Sequence, residues 1–269
     1  MQNQEGPIAD KEMETSVSIP ISEFDDWANF ADDDIMQQQS AIHAEEAKKI
    51  PFVGNKEPLS MLAAEYESGS PILLEKIKML GQQYAAIRRT QGDGNCFFQS
   101  FMFSYLEHIL GSQDRAEVDR IKGNVKECRK TLQSLGYADF SFEDFFGLFL
   151  EQLDIVLQGN EDSISLDELI IKSRDQSISN YVCKSSVEPM GEESDHVDIA
   201  ALSDALGVPI RVVYLDRSFC DKGGVCVNHH DFVPTFGDHS NASSHSTEPI
   251  KPFITLLYRP GHYDILNPK

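Results

Sequence analysis

The segment from Cys96 to Ile109 places the strongest constraint on how this chain can fold. Its apolar residues recur at helical spacing in two rows, so the predicted helix is apolar around most of its circumference. The two rows are Phe97, Phe101 and Tyr105, and Phe98, Met102, Leu106 and Ile109. A helix that is apolar on nearly every side is stable in water only where other elements surround it. We therefore predict that this segment forms the central buried helix of the domain.

A turn rich in glycine, Gly92-Asp93-Gly94-Asn95, leads into this helix and places Cys96 in its first turn. The start of a helix has unpaired N–H groups and the positive end of the helix dipole, and both favour a thiolate. Gly92 and Gly94 let the loop bend so that N–H groups converge beside the sulfur as an oxyanion hole. Asp93 can hold the loop by accepting backbone hydrogen bonds. A cysteine here is also common as a core residue, so the motif alone leaves a structural and a nucleophilic role open.

A thiol nucleophile needs a base, usually histidine, and a group that orients the base. The segment Arg259-Pro260-Gly261-His262-Tyr263-Asp264 places a histidine directly after a predicted strand and a turn. In an extended chain, residues i and i+2 point to the same side, so His262 and Asp264 are predicted to project together. A chance pair at the surface is the alternative interpretation. Taken with Cys96, the pair favours a cysteine hydrolase with papain-like catalysis.

The other periodicities predict an α+β fold, because helical patterns come first and strand patterns come last. Apolar spacing predicts helices over 59–66, 72–87, 142–157 and 195–206, and one more helix from about residue 121. Gly207 is predicted to close the helix 195–206 as a left-handed cap. Short runs rich in β-branched and aromatic residues predict strands over 210–215, 253–258 and 263–266.

Residues 1–50 differ in composition from the rest, with 12 acidic residues against three lysines. This composition predicts a partly disordered segment. Residues 35–49 within it have a helical composition, and two interpretations stay open for them: a solvated helix or a helix that recognises a partner. Residues 51–269 are predicted to form the globular domain.

The overall composition argues against several classes of partner. The formal net charge of −21 disfavours nucleic acid, because phosphate binding needs clustered lysine and arginine. No apolar run approaches the roughly 20 residues that span a bilayer, so no membrane segment is expected. The five cysteines are widely spaced without a CxxC pair, which predicts mostly free thiols. Cys220, Cys226, His229 and His230 match no common zinc pattern, so neither a metal ion nor a cofactor is predicted.

Three segments resemble the otubain branch of the ovarian-tumour (OTU) cysteine proteases, and most of all plant otubains. They are GDGNCFFQSF around the cysteine, LLYRPGHYDIL around the histidine, and EPMGEESDH between them. The resemblance, from about residue 35 onward, implies a papain-like OTU fold in which a helical subdomain packs on a small, mostly antiparallel sheet. It also implies hydrolysis of isopeptide bonds to the C-terminal glycine of ubiquitin, typically in Lys48-linked chains, and residence in cytoplasm and nucleus.

The resemblance assigns roles by position. Cys96 matches the nucleophile, and His262 matches the general base that later protonates the leaving lysine amine. Asp264 matches the residue that orients the histidine, and Asp93 the acidic residue of the oxyanion loop. The backbone N–H groups expected to hold the oxyanion are those of Asp93, Gly94, Asn95 and Cys96. The residues that match ubiquitin-contacting segments are Glu193, Ser194, Asp195, His196, Asn228, His230 and Phe232.

The chain departs from the family pattern at one place. In otubains, several helices separate the runs that match 175–181 and 183–190, whereas here only Val182 lies between Tyr181 and Cys183. The resemblance therefore predicts that a helical block against which ubiquitin packs is missing. This leaves two alternatives to a deubiquitinase. One alternative is a non-catalytic regulator that binds ubiquitin or ubiquitin-conjugating enzymes (E2), in which residues 35–49 resemble the helix that some otubains use to restrain these enzymes, or an inactive splice variant. The other is a papain-like enzyme with another acyl substrate.

Overall fold

The computed structural model describes residues 51–92, 94–139, 143–157, 164–174, 195–220, 223–235 and 251–269. These residues form six strands and seven helices. The strands are β1 (Val53–Glu57), β2 (Tyr84–Thr90), β3 (Ile210–Tyr214), β4 (Asn228–Phe232), β5 (Ile254–Arg259) and β6 (His262–Pro268). The helices are α1 (Leu59–Tyr66), α2 (Pro71–Gln83), α3 (Cys96–Ser112), α4 (Arg115–Ser134), α5 (Glu143–Leu157), α6 (Leu166–Ser173) and α7 (His196–Leu206). The predicted helix at 35–49 and the junction at 181–183 lie outside the described residues.

The strands form one sheet in the order β1-β2-β6-β5-β3-β4. Only the β3–β5 pair is parallel, and the other four pairs are antiparallel. The predicted α+β fold with a mostly antiparallel sheet is therefore confirmed. Because β2, from the first third of the chain, pairs with β6 at the end of it, the loop before α3 lies next to the β5–β6 hairpin.

The sheet has an apolar core on each face, and adjacent residues of a strand alternate between the two cores. Val212 packs in the core built around α3, whereas Val213 packs in the core built around α1 and α2. On β5, Leu256 likewise packs in the first of these cores and Leu257 in the second. Successive side chains of a strand point to opposite faces, so a sheet covered on both sides buries continuous apolar runs.

Helix α3 is the central helix that the sequence predicts. Ten of its 17 residues are buried, including Phe97, Phe101 and Ile109. It packs against β5 and β6 of the sheet and against α5 and α6. This packing fixes the position of its first residue, Cys96, next to β6. Within the described part of the chain, no helix is both long and apolar enough to cross a bilayer.

The predicted helix 72–87 is wrong over its last residues, since α2 ends at Gln83 and β2 begins at Tyr84. Tyr84 and Ile87 fit the helical spacing, but they are buried because β2 pairs with β6, where Ile87 lies opposite Leu266. Sheet pairing with a distant segment thus overrides the local pattern. The sequence also missed the edge strands β1 and β4, which are short and partly polar, and the helix α6.

The prediction of free thiols is wrong for Cys220 and Cys226, which form a disulfide. Gly223 and Gly224 have φ angles of 78° and 96°, so the chain turns back on itself and brings the two Cα atoms to 5.6 Å. Cys96 and Cys128 are free. Among the described residues, no group of three or more His, Cys, Asp or Glu side chains is arranged to hold a metal ion.

Candidate active site

Cys96 is the first residue of α3 and its side chain is buried, with 5% exposure. Asn95 precedes it at the N-cap position, and its carbonyl accepts the N–H of Gln99 at 3.0 Å. Gly94 has a φ of 84°, a conformation that residues with a side chain adopt only with strain. The first N–H groups of a helix lack partners within the helix, so the start of α3 is suited to binding an oxyanion. Asp93 lies outside the described residues, and its predicted role stays a prediction.

The β5–β6 hairpin positions the predicted base. Arg259 pairs with His262 across the hairpin, and the turn between them uses Gly261 with a φ of 78°. As the strand spacing predicts, His262 and Asp264 project together, with Nε2 of the imidazole 3.0 Å from Oδ1 of the carboxylate. The other ring nitrogen, Nδ1, lies on the side of Gly92, where a Cβ atom would be 3.7 Å away. The hairpin therefore orients the ring and leaves Nδ1 for a second partner.

The thiol of Cys96 lies close enough to the imidazole of His262 for the two groups to interact, and this interaction raises the pKa of His262. The backbone N–H of Tyr263 also donates to the sulfur of Cys96, with an N–Sγ distance of 3.4 Å. The carbonyl of Tyr263 accepts hydrogen bonds from the hydroxyls of Thr90 and Ser100. These contacts tie α3 and β2 to the backbone of β6, so the thiol, imidazole and carboxylate form one continuous set.

The environment makes His262 more basic than a free imidazole. Burial lowers the pKa of His262, but its hydrogen bonds to Asp264 and Cys96, together with their negative charges, raise that pKa to about 9. The ring is therefore predominantly protonated at neutral pH. An imidazolium beside a thiol stabilises the thiolate, which is the nucleophilic form of cysteine. The protonated ring of His262 thus lies beside the sulfur of Cys96, in a position to act as a general acid.

Asp264 is fully buried, with 0% exposure, and stays ionised through its partners. Burial raises the pKa of this carboxyl, but the hydrogen bond to His262 and the charges of Arg259, His262 and Arg89 hold it below the usual range. Its Oδ1 also accepts the backbone N–H of Thr90 at 3.1 Å. Its Oδ2 accepts a hydrogen bond from Arg259 Nη2 at 2.6 Å. A buried carboxylate with this many donors holds its charge and its orientation.

The predicted ubiquitin-contacting residues fall in two parts of the structure. His196 from α7 and His230 and Phe232 from β4 form one cluster, which we call the histidine patch. The rings of His196 and His230 are stacked at 5.7 Å, and the His230 and Phe232 rings are 4.5 Å apart. The patch is completed by the hydroxyl of Tyr214, 2.6 Å from Nε2 of His196. His196 and His230 are both exposed, so the patch is open to a partner.

The other predicted contact residues are not part of this patch. Asp195 is the N-cap of α7, and its carboxylate accepts the N–H groups of Val197 and Asp198. Asn228 begins β4, with its amide 3.4 Å from the hydroxyl of Ser218. Glu193 and Ser194 lie outside the described residues.

The profile of the family described as Peptidase C65 Otubain matches residues 45–183 and 182–268. The chain belongs to the otubain family. It is 60% identical over 303 residues to the OVARIAN TUMOR DOMAIN-containing deubiquitinating enzyme 1 of Arabidopsis thaliana, covering 100% of this otubain and 96% of that protein. It is 35% identical to Ubiquitin thioesterase OTUB1 of Homo sapiens, covering 87% of this chain and 90% of the relative.

The fold of this otubain is similar to solved structures. A chain described as "h/ceOTUB1-ubiquitin aldehyde-UBCH5B~Ub" superposes with a TM-score of 0.71 and 29% identity, covering 89% of this chain and 98% of that one. The aligned length of 303 with the Arabidopsis thaliana protein exceeds the 269 residues of this chain by 34. The two matched parts of the family profile meet at residues 182–183. This junction is the position at which the sequence comparison with otubains predicts a missing helical block.

Sequence reasoning missed the residues of this otubain that surround the carboxylate and the Tyr263 backbone: Arg89, Thr90, Ser100 and Arg259. Two signals were available. Arg89 and Thr90 lie just before the glycine turn, separated from it by Gln91, and Arg259 directly precedes the Pro-Gly turn. A polar residue that ends an apolar strand beside a functional motif is a candidate for a positioning role. Its partner, however, is known only once β2 is paired with β6.

Proposed function

We propose that this chain is a deubiquitinating thiol protease that hydrolyses isopeptide bonds to the C-terminal glycine of ubiquitin. The observation that carries the proposal is the continuous set of Cys96, His262 and Asp264 within an otubain. Two relatives that share most of their length with this chain are named as a deubiquitinating enzyme and as a ubiquitin thioesterase. The oriented imidazole beside Cys96 supports a nucleophilic role for this residue, since a core thiol has no need of one.

The geometry gives each residue one step. The thiolate of Cys96 attacks the carbonyl carbon of the C-terminal glycine. The oxyanion that forms on the carbonyl oxygen accepts hydrogen bonds from backbone N–H groups at the start of α3. His262 gives its proton to the lysine amine as the isopeptide bond breaks, which leaves a thioester on Cys96. His262 then takes a proton from water as the resulting hydroxide attacks the thioester, which releases the C-terminal carboxyl group of ubiquitin and restores the thiolate of Cys96 beside the protonated imidazole. Asp264 keeps Nε2 engaged throughout, so that Nδ1 carries the transferred proton.

The histidine patch is the surface that we assign to substrate binding. It joins α7 to β4 through the exposed rings of His196 and His230, which lie against the buried ring of Phe232, and aromatic side chains are common in the cores of protein interfaces. The patch connects to the site through rings in contact: Tyr214 with Tyr258, and Tyr258 with Tyr263. We propose that ubiquitin binds at the patch with its C-terminal tail directed toward Cys96. A preference for Lys48-linked chains is part of the proposal.

A ubiquitin probe with an electrophile at its C-terminus tests the proposal. We expect it to label the chain and to fail with Cys96→Ala. Cys128→Ala is the matched control, because Cys128 is the other free thiol among the described residues and is half-buried on α4. That variant should label like the wild type. Equal labelling of Cys96→Ala and the wild type would reject the thiol protease.

A second candidate function is favoured by the solved relatives. Two of these similar chains were solved with ubiquitin aldehyde and with UBCH5B~Ub or UBC13~Ub, which are conjugating enzymes (E2) that carry ubiquitin. We infer that this chain also binds a ubiquitin-charged conjugating enzyme without cleaving anything. Capture of the charged E2 should survive Cys96→Ala and be lost on deletion of residues 1–50. Absence of capture by the full chain would reject this function.

A further inference from the structure

The second oxygen of Asp264 is bound to a cluster of charged side chains that the mechanism above does not use. Arg259 Nη2 donates to Oδ2 at 2.6 Å, and Arg89 Nη1 lies 3.8 Å from the same oxygen. Both guanidinium groups also contact Glu65 on α1: Arg259 Nη1 lies 3.5 Å from Oε2, and Arg89 donates to both carboxylate oxygens. The cluster therefore runs from a fully buried carboxylate to one that is 47% exposed.

The hydrogen bonds of this cluster fix the orientation of the Asp264 carboxylate. Oδ1 accepts from His262 and from the backbone of Thr90, while Oδ2 accepts from Arg259. A carboxylate held at both oxygens cannot rotate without breaking a charge-assisted hydrogen bond. Arg259 is also the cross-strand neighbour of His262. The guanidinium and the imidazole are thus anchored at opposed positions of one hairpin and share one carboxylate.

The same cluster sets the electrostatic potential at the imidazole. Arg259 and Arg89 offset the negative charge of Asp264, and Glu65 offsets the positive charge of the two arginines. Burial lowers the pKa of Arg259, but the negative charge of Asp264 and interactions with Tyr66 and Glu65 raise it overall, so the guanidinium stays charged. The other charged or titratable groups that face the cluster are Cys96 on α3, Tyr66 on α1 and Glu57 on β1, the last 3.8 Å from Arg89.

We propose that Arg259 is a positioning residue for the His262–Asp264 pair and that Glu65 balances its charge, so that the two residues tune the protonation of His262 in opposite directions. The kinetic consequences rest on the proposed thiol protease function. The titration of His262 itself does not, because an imidazole titrates whether or not the chain turns over substrate.

The test follows His262 by NMR in the full chain with ¹³C-labelled histidine, and the resonance is assigned by its absence from His262→Asn. Arg259→Gln removes a cation, and we expect the His262 titration to move to higher pH. Glu65→Gln leaves the arginines less compensated, so the titration should move to lower pH. Each shift is expected to be about one unit or less, because both groups act across Asp264. Shifts of the same sign, or no shift in either variant, would overturn the proposal.

Two further variants separate charge from packing. Arg259→Lys keeps the cation but loses the guanidinium fork, so the titration of His262 should return to the wild-type pH. Arg120→Gln on α4 removes an arginine that likewise binds a glutamate, Glu117, and a backbone carbonyl. It should leave the His262 titration in place. A shift in Arg120→Gln as large as that in Arg259→Gln would show a general effect of losing an arginine and overturn the assignment.

Steady-state kinetics on a ubiquitin substrate give the positioning readout. Arg259→Gln should lower kcat by about tenfold or more with KM unchanged, because a 1 Å displacement of a catalytic group has effects of this order. Arg259→Lys should recover part of that loss. If the wild type neither labels nor cleaves, the proposed function fails, while opposite NMR shifts still support the charge cluster. If Arg259→Gln does not fold, the exposed Glu65→Gln decides alone: a downward shift supports the proposal and an unchanged titration overturns it.

Discussion

Two histidines of this chain are held in opposite ways. His262 is 18% exposed and lies between a fully buried carboxylate and a thiol. His196 is exposed, bonded to the hydroxyl of Tyr214 and stacked on His230. Charge-assisted hydrogen bonds fix the first ring, whereas surface aromatic contacts hold the second. The geometry of the candidate active site therefore depends on buried polar contacts. The contrast also predicts that substitutions at the two histidines affect different kinetic constants.

The largest effect is expected at the buried histidine. His262→Ala should lower kcat by roughly 10²–10⁴-fold, the usual contribution of a general acid–base group, and leave KM nearly unchanged. The exposed counterpart, His196→Ala, should raise KM for the ubiquitin substrate and leave kcat nearly unchanged. Steady-state hydrolysis of a ubiquitin substrate measures both constants. An equal loss of kcat in the two variants would break the comparison.

The raised pKa of His262 also predicts a pH dependence of stability. A group whose pKa rises on folding, here from 6.5 to about 9, stabilises the fold fully below the lower value. That contribution is lost as the pH rises through 9. Relative to His262→Gln, the wild type should lose about 3 kcal/mol of unfolding free energy between about pH 6 and about pH 9.5. Urea unfolding at the two pH values measures the difference, and parallel pH profiles of the two proteins would contradict the prediction.

A smaller effect is expected in the loop that presents the thiol. Gly94→Ala places a side chain at a φ of 84°, which costs roughly 1–2 kcal/mol of unfolding free energy. Gly111→Ala, within α3 and with nothing near the added Cβ atom, is the matched control. It should stabilise the chain by about 0.5–1 kcal/mol. Thermal or urea unfolding distinguishes the two, and a stabilising Gly94→Ala would show that the loop does not need its glycine.

The smallest effect is expected within the histidine patch. His230→Ala removes one exposed ring, so KM for a ubiquitin substrate should rise by about fivefold, or about 1 kcal/mol, as for a moderate interface contact. Phe219→Ala is the control, because Phe219 is also an exposed aromatic residue but lies outside the patch. An unchanged KM in His230→Ala, or the same rise in the control, would remove the patch from the proposed binding surface.

Local signals in the sequence were sufficient for much of the fold. Helix α1 was predicted with its observed bounds, and α7 ends at the predicted left-handed cap, Gly207. Strand alternation placed His262 and Asp264 on one side of β6. These features depend on residues close together in the chain. The strand β2 was mistaken for the end of a helix because its pairing partner lies more than 170 residues away.

The sequence by itself determined the central helix, the glycine turn, the cysteine at the helix start and the His-x-Asp pair, because each depends on local conformation and on residue type. Only the tertiary structure decided that the carboxylate of Asp264 would be buried between Thr90, His262 and Arg259, and that Glu65 would complete a charge cluster behind it. It also decided that α7 and β4 would form one patch. The physical reason is that these contacts depend on the pairing and register of distant strands, and no local pattern specifies them.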